Sequence, residues 1–394
     1  MKNRLTLAFT IIALAVFAQE KTNKKDSEYK FTIVKTMDAT AVQNQNMTST
    51  CWSFSSLSFF ESEMLRAGKV KAPIDIGVNL SEMFVVRKAY ALKADNYMRM
   101  HGKTNFAEGG GFPDVLSTVK NYGIVPEEVY TGKKDVLMPH DHKLLETTLK
   151  NILQPASMDG NQKIDFGFIH NTVEAACDEF LGKVPEKFEY KGKSYTPKTY
   201  AEATGLNMED YVFLTSFSHH PFYTQFVLEV PDNWNWQMMY NLPLNEFQEV
   251  MNNAINSGYT IAWGADVSEK GFMFKDGLAV VPETPFASLS DEDKKNLSVK
   301  PHKQLQITQE LRQKAFDNYE TQDDHGMHIV GSAKDQSGTL YYIVKNSWGT
   351  ERNQCDGYFY ASESYVLYKT TSIMLNKKAI PAAIAKKLGI SLTQ

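Results

Sequence analysis

"DHGMHIVGSAKDQSGTLYYIVKNSWG", residues 324–349, contains two strand-like runs around a turn. Ile329–Ser332 and Tyr341–Val344 are rich in β-branched and aromatic residues, and Lys334-Asp335-Gln336-Ser337-Gly338 has the composition of a hairpin turn. The midpoint between His325 and Asn346 falls inside that turn. A symmetric hairpin therefore sets the two residues opposite each other, with Cα atoms roughly 4.5–5.5 Å apart. An Asn carbonyl there accepts from one imidazole nitrogen, fixes the tautomer and leaves the other nitrogen for a nucleophile. His328 would pair near Ile343 on the opposite face, without an Asn. A metal held by His325 and His328 with Asp323 or Asp324 lacks residues elsewhere to complete a ligand set.

A nucleophile for such a base stands far upstream, in "QNQNMTSTCWSF", residues 43–54. Polar residues lead to Cys51, and a helical pattern over Cys51–Ala67 begins there, with Phe54, Leu57, Met64 and Leu65 at helical spacing. Ser49 or Thr50 can cap the helix, and Gly68 stops it. A helix N-terminus favours an anion and lowers a thiol pKa, so this position suits a catalytic thiol. A buried, inert Cys is the structural alternative.

The chain has 394 residues and a net charge of −4, without a dominant basic run, so nothing electrostatic points to nucleic acid. Residues 1–18 read as a signal peptide: Lys2 and Arg4 precede an apolar run, Leu5–Phe17, too short to span a bilayer. The remainder, 19–394, is expected to be exported, periplasmic or secreted, without stable membrane insertion. Cys51, Cys177 and Cys355 are the only cysteines and form no Cys-x-x-Cys, which argues against a disulfide framework and a structural zinc site. No cofactor is implied.

The pattern is mainly helical over about 40–210 and β-rich over about 211–375, with a C-terminal helix and short tail at 376–394, giving an α+β fold in two packed parts. Further helices are expected at Ser81–Leu92, Pro113–Tyr122 and Leu244–Ser257, strands at Val212–Thr215, Gln225–Val230 and Thr260–Asp266, and a largely helical stretch at Asp291–Tyr319. Residues 19–30 read as a loose arm and His140-Asp141-His142 as a solvated loop. His219-His220 is a conspicuous pair explained equally well by a turn before Pro221.

Together these residues resemble the papain-like cysteine peptidases. The likeness lies in Gln45 ahead of Cys51-Trp52, in His325-Gly326-Met327, and in Asn346-Ser347-Trp348-Gly349, in that order. Within the family, His325-Gly326-Met327 and "AWGADVSEKGF" from Ala262 are similar to the bleomycin hydrolase and aminopeptidase C branch. Cys51 and His325 also stand much farther apart than the roughly 130–150 residues of compact members. The resemblance implies a papain-like fold with a helical part, a β-barrel-like part and helical insertions. It also implies peptide or protein substrates, hydrolysed by Cys51, His325 and Asn346 with Gln45 in the oxyanion hole.

Further roles follow from the same likeness. Gly110 and Gly111 would lie along the substrate, where the lack of Cβ permits close approach, and Trp348 would shield the His–Asn bond; packing is the alternative for all three. The branch forms hexameric rings, so a homo-hexamer is implied. Aminopeptidase members close their cleft with a C-terminal arm. Here "AIPAAIAKKLG" is followed only by Ile390–Gln394, an arm shorter by eye, which leaves endopeptidase action open beside aminopeptidase action. A non-catalytic papain-fold binding protein is the other alternative.

Overall fold

A computed structural model describes residues 21–69, 78–158 and 164–392. The apolar leader and the last two residues lie outside that range. Strand β1 (Thr32–Thr36) precedes a helical half: α1 (Cys51–Arg66), α2 (Glu82–Arg99), α3 (Phe112–Tyr122), α4 (Lys143–Ala156), α5 (Phe166–Leu181), a hairpin of β2 (Phe188–Tyr190) and β3 (Lys193–Tyr195), and α6 (Pro197–Thr204). None of the described helices is long and apolar enough to cross a membrane.

Helix α1 is central, buried from Cys51 to Met64 on every face rather than along one stripe. Its serines make this tolerable. Ser55 and Ser56 turn their hydroxyls back onto the carbonyls of Cys51 and Trp52 (2.8 and 2.7 Å), while Ser53 and Ser62 reach Glu82 O and Asp38 O (3.0 and 2.8 Å). Buried hydroxyls are thereby satisfied. Thr50, the residue before the helix, makes no side-chain cap bond. Its hydroxyl is 2.6 Å from that of Thr48.

The second half comprises β4 (Tyr211–Thr215), β5 (Gln225–Val227), β6 (Met238–Asn241), α7 (Leu244–Asn256), β7 (Ile261–Ala265), β8 (Phe272–Met273), β9 (Leu278–Ala279), α8 (Asp291–Asn296), α9 (Gln309–Asp317), β10 (His325–Lys334), β11 (Leu340–Lys345), β12 (Tyr358–Ser362), α10 (Glu363–Lys369), β13 (Thr370–Asn376) and α11 (Ala382–Lys387). Among the described residues one eleven-stranded sheet runs β5-β6-β4-β13-β7-β10-β11-β12-β9-β8, with β1 added beside β10. Its end strands do not pair, so it is open in hydrogen bonding. The apolar face of α7, with Phe247, Val250 and Met251 fully buried, packs in one core with residues of β7, β10, β11 and β13.

The stretch at 291–319 is helical only at its ends, in α8 and α9. Arg312, on α9, is fully buried and donates to Ser216 O, Leu367 O and Thr370 O (2.7, 2.8 and 2.6 Å). It ties three segments at the corner where α10 becomes β13. The arm at 21–31 is packed rather than loose. Asn23 is fully buried and donates to Asp276 O and Ser298 O (2.8 and 2.9 Å), and Phe31 stacks on Tyr360. His140 and His142 are likewise buried, and burial pushes their pKa values down to about 3 and about 4.

The hairpin register differs from the symmetric one. His328 pairs with Lys345 and Ile329 with Val344; an irregularity then shifts the ladder so that Gly331 pairs with Ile343. His325 extends past the end of β11 and pairs instead with Ala265 of β7. The bulge sits where β1 crosses closest: a Cβ at Gly331 would run into the Lys35 carbonyl and lie 3.1 Å from Thr36 Cα. A bulge and a glycine answer the same crowding. Gly331→Ala is expected to destabilise the fold by about 1–3 kcal/mol. It should also speed amide exchange at residues 32–36, measurable by exchange mass spectrometry.

Candidate active site

Cys51 and His325 line one cleft of about 560 Å³ between the two halves, together with Trp52, Gly110, Gly111, Asp114, Asp232, Asp323, Gly326 and Thr371. The halves meet where the first turn of α1 packs against β10. A Cβ at Gly326 would lie 2.7 Å from Ser55 Oγ, 3.3 Å from Cys51 O and 3.3 Å from Trp52 Cα. The residue after the histidine is thus held against the helix that begins with the cysteine.

The His325 tautomer follows from its partners. Its Nε2 lies 2.8 Å from Asn346 Oδ1, and the Ser347 backbone N–H donates to the same oxygen at 2.8 Å. An oxygen accepting from Ser347 can only accept from the imidazole too, so Nε2 carries the proton and Nδ1 keeps its lone pair. The bond forms because Asn346 has left β11 and turns back, not because the two residues are opposed. Trp348 stacks on the imidazole (centroids 4.6 Å apart, 30° between planes) and meets Phe274 edge-on at 5.0 Å.

Gln45 is not among the cleft-lining residues but is fastened beside them. Its backbone N–H donates to Ser347 O (2.9 Å), its Oε1 accepts from Ser347 Oγ (2.7 Å), and its Nε2 donates to Thr48 O (2.6 Å). The amide keeps a second hydrogen. The glycine loop is set by buried polar groups: Lys93 of α2 donates to the carbonyls of Ala107 and Gly109. Asp114 accepts from Gly111 N–H (3.0 Å), Trp234 Nε1 (2.9 Å) and Asn235 Nδ2 (2.7 Å) and so ties the loop to residues 231–237. The missing Cβ of Gly110 faces Asp114 Oδ2 (2.7 Å) and Trp52 (3.0 Å), which makes packing the reason for glycine there.

Burial governs the protonation states. It pushes the Cys51 thiol up to about 12, with Asp232 and Asp323 adding to the rise; the backbone groups of Gly326 and Trp52 oppose it. The sequence expectation of a lowered thiol pKa is thus reversed. Burial also pushes His325 down to about 4, against the Asn346 bond that raises it. Burial thus works against the charged form of both groups in the empty site.

His219 and His220 place their Nε2 atoms 3.0 and 2.6 Å from the two oxygens of Glu229, a geometry compatible with a metal. However, Gln313 Oε1 accepts from Ser218 N–H (2.5 Å), which leaves its Nε2 facing His219 Nδ1 (3.0 Å). His219 Nδ1 therefore accepts, and the proton sits on Nε2, where a metal would need a lone pair. The trio is a carboxylate clamped by two imidazoles. All three cysteines are free.

The Peptidase C1-like family model matches residues 6–393. The chain belongs to the Peptidase C1-like family. It is a cysteine peptidase of the papain-like superfamily. Aminopeptidase C of Streptococcus thermophilus is 22% identical over 414 residues, covering 92% of this chain and 86% of its own length. Aminopeptidase C of Lactobacillus delbrueckii subsp. lactis is 22% identical over 412 residues, covering 94% and 86%. The crystal structure of PepW from Lactobacillus rhamnosis has the same fold, with a TM-score of 0.71 at 19% identity over 91% of this chain and 84% of that one.

Sequence reasoning missed the cleft roles of Asp114, Asp232 and Thr371, which no local pattern announces. Asp323 stands two residues before His325, where the sequence alone suggests only a metal ligand. An Asn346→Asp variant would put a carboxylate on His325 and favour its charged form. Its imidazole, followed by NMR, should titrate near pH 4 in the unaltered protein and at higher pH in the variant.

Proposed function

We propose that this chain hydrolyses peptide bonds through Cys51, His325 and Asn346, as an aminopeptidase of the bleomycin hydrolase type. The observation that carries the reading is the fixed tautomer of His325, which leaves a basic Nδ1 in the cleft that also holds Cys51. The names of the curated relatives support the aminopeptidase part.

His325 Nδ1 takes the thiol proton as Cys51 Sγ attacks the carbonyl carbon, so no charged pair has to exist beforehand. The free hydrogen of the Gln45 amide and the Cys51 backbone N–H receive the developing oxyanion. The C–N bond breaks as His325 protonates the leaving amine, and water, with its proton taken by His325, hydrolyses the thioester. Asn346 holds the ring, and Trp348 covers the bond between them.

Endopeptidase action is the second reading. Among the described residues none beyond Ser372 lines the cleft, while Ile390 and Leu392 pack against the core around α7. Blocked and free peptides separate the two: cleavage of N-acetylated peptides at internal bonds would remove the strict aminopeptidase reading. Export belongs to the same proposal, supported by the basic start and apolar run of residues 2–17; cell fractionation tests it. Hexamer formation is also part of it, supported by the adjacent exposed side chains of Val136, Leu137 and Met138; sedimentation velocity tests that.

Cys51→Ala should abolish peptide hydrolysis with an unchanged circular dichroism spectrum. Gln45→Ala should lower kcat on the order of 10²–10³-fold. Activity retained in Cys51→Ala would refute the mechanism.

A further inference from the structure

Among the described residues four carboxylates line the cleft beside the candidate nucleophile: Asp114, Asp232, Asp323 and Asp324. Two are accounted for by the fold. Asp114 accepts three N–H donors. Asp324 accepts from the backbone of Val267 and Ser268 (3.2 and 2.9 Å). The other two are not. Asp232 accepts one bond, from Asn105 Nδ2 at 3.2 Å. Asp323 is approached by the Thr371 hydroxyl, and the charges acting on it, Asp232 and Asp324, are both negative.

Among the described residues no Lys or Arg lines the cleft. Lys93, the cation that acts on Asp232, is 3% exposed and already committed to two backbone carbonyls. Thr371, which approaches Asp323 without closing a well-formed bond to it, is a second sign of an absent partner. It is 1% exposed and lines the same cleft, yet its hydroxyl makes no hydrogen bond of acceptable geometry. Buried polar groups are almost always paired, and each exception calls for a reason. Uncompensated carboxylates near one another are unfavourable unless something positive arrives; burial and the neighbouring acids hold Asp323 up at about 7. Both acids, Asp232 and Asp323, line the cleft that holds Cys51, and their charge adds to the rise of its thiol pKa.

We infer that Asp323, Asp232 and the Thr371 hydroxyl form a cation-receiving subsite that anchors a positive group of the peptide in the cleft beside Cys51. That group is either the free α-ammonium or a basic side chain. The subsite rests on the reading of the cleft as a peptidase site. It gives the cleft an anchor built from its own wall, independent of the C-terminal arm. A filled subsite also neutralises the charges that raise the Cys51 thiol, so a cationic substrate eases ionisation of the group that attacks it.

The test uses two substrate pairs and compares kcat/KM within each. The first pair is an aminoacyl coumarin amide with its amine free or acetylated. The second is an acetylated dipeptidyl coumarin amide with Lys or norleucine at its first residue. In Asp323→Asn the preference for the charged member of at least one pair should fall about 10- to 100-fold, the value of a charge-assisted bond. Asp232→Asn should lower the same preference less, because Lys93 shares that charge. A fall in the first pair assigns the subsite to the α-ammonium and a fall in the second to a basic side chain; both support it.

Preferences unmoved in Asp323→Asn and in the double variant would overturn the subsite. Both substitutions preserve shape and remove like-charge repulsion, so thermal midpoints should not drop. Should a variant nevertheless unfold, the unaltered protein decides. Leucinamide should then inhibit more strongly than N-acetyl-leucinamide, or lysinamide more strongly than norleucinamide; equal inhibition within both pairs overturns the inference. Failure here with an inactive Cys51→Ala protein removes only the subsite, whereas activity surviving in Cys51→Ala removes the peptidase mechanism instead.

Discussion

The site depends on one steric constraint, the contact between the first turn of α1 and β10 at Gly326. Ser55 Oγ and the backbone of Cys51 and Trp52 occupy the space a side chain would need. Because α1 is buried on all sides, it cannot roll or slide to relieve that contact. The cysteine belongs to the helical half and the histidine to the sheet, so the depth of this packing decides their separation. The serines of α1 serve the same end: short side chains that bond back to their own helix let neighbours approach from every direction.

Close packing then dictates the electrostatics. A helix N-terminus is worth about 0.3–1 kcal/mol to a nearby anion, up to about 2 when partly buried. Pushing a thiol from 9.0 to about 12 corresponds to roughly 4 kcal/mol in the other direction. Desolvation outweighs the helix terminus and works against the charged forms of both Cys51 and His325. The acidic groups of the site stand instead on its wall, where Asp232 and Asp323 receive few donors from the fold.

How much of this was legible in the sequence varied with the kind of interaction that decides it. Helix α3 could be read closely, because Gly111, Pro113 and Gly123 punctuate it locally, and so could β7 and α7. The partnership of His325 with Asn346 was also readable, but its geometry was not. A strand remote in sequence, β1, lies against β10 at Gly331, where the β10–β11 ladder shifts. Polarity misled at residues 21–31 and 140–142. Asn23, His140 and His142 look solvated by composition but are buried by distant parts of the chain. The cleft acids were hidden for the same reason: Asp232 and Asp323 become neighbours only when the sheet has formed.

The pairing of Thr32 with Lys334 joins two ends of the chain. Contacts of such high sequence separation demand loop closure before they reward it, and they slow folding. The helical half, whose contacts are more local, can organise while the chain is still emerging; the sheet has to wait for strands beyond residue 325 and then reclaim the N-terminal arm. A nascent chain therefore carries its thiol long before the base, the amide that orients it and the acidic wall exist. The order of synthesis itself acts as a delay on activity, since nothing in the first three hundred residues can assemble the site alone.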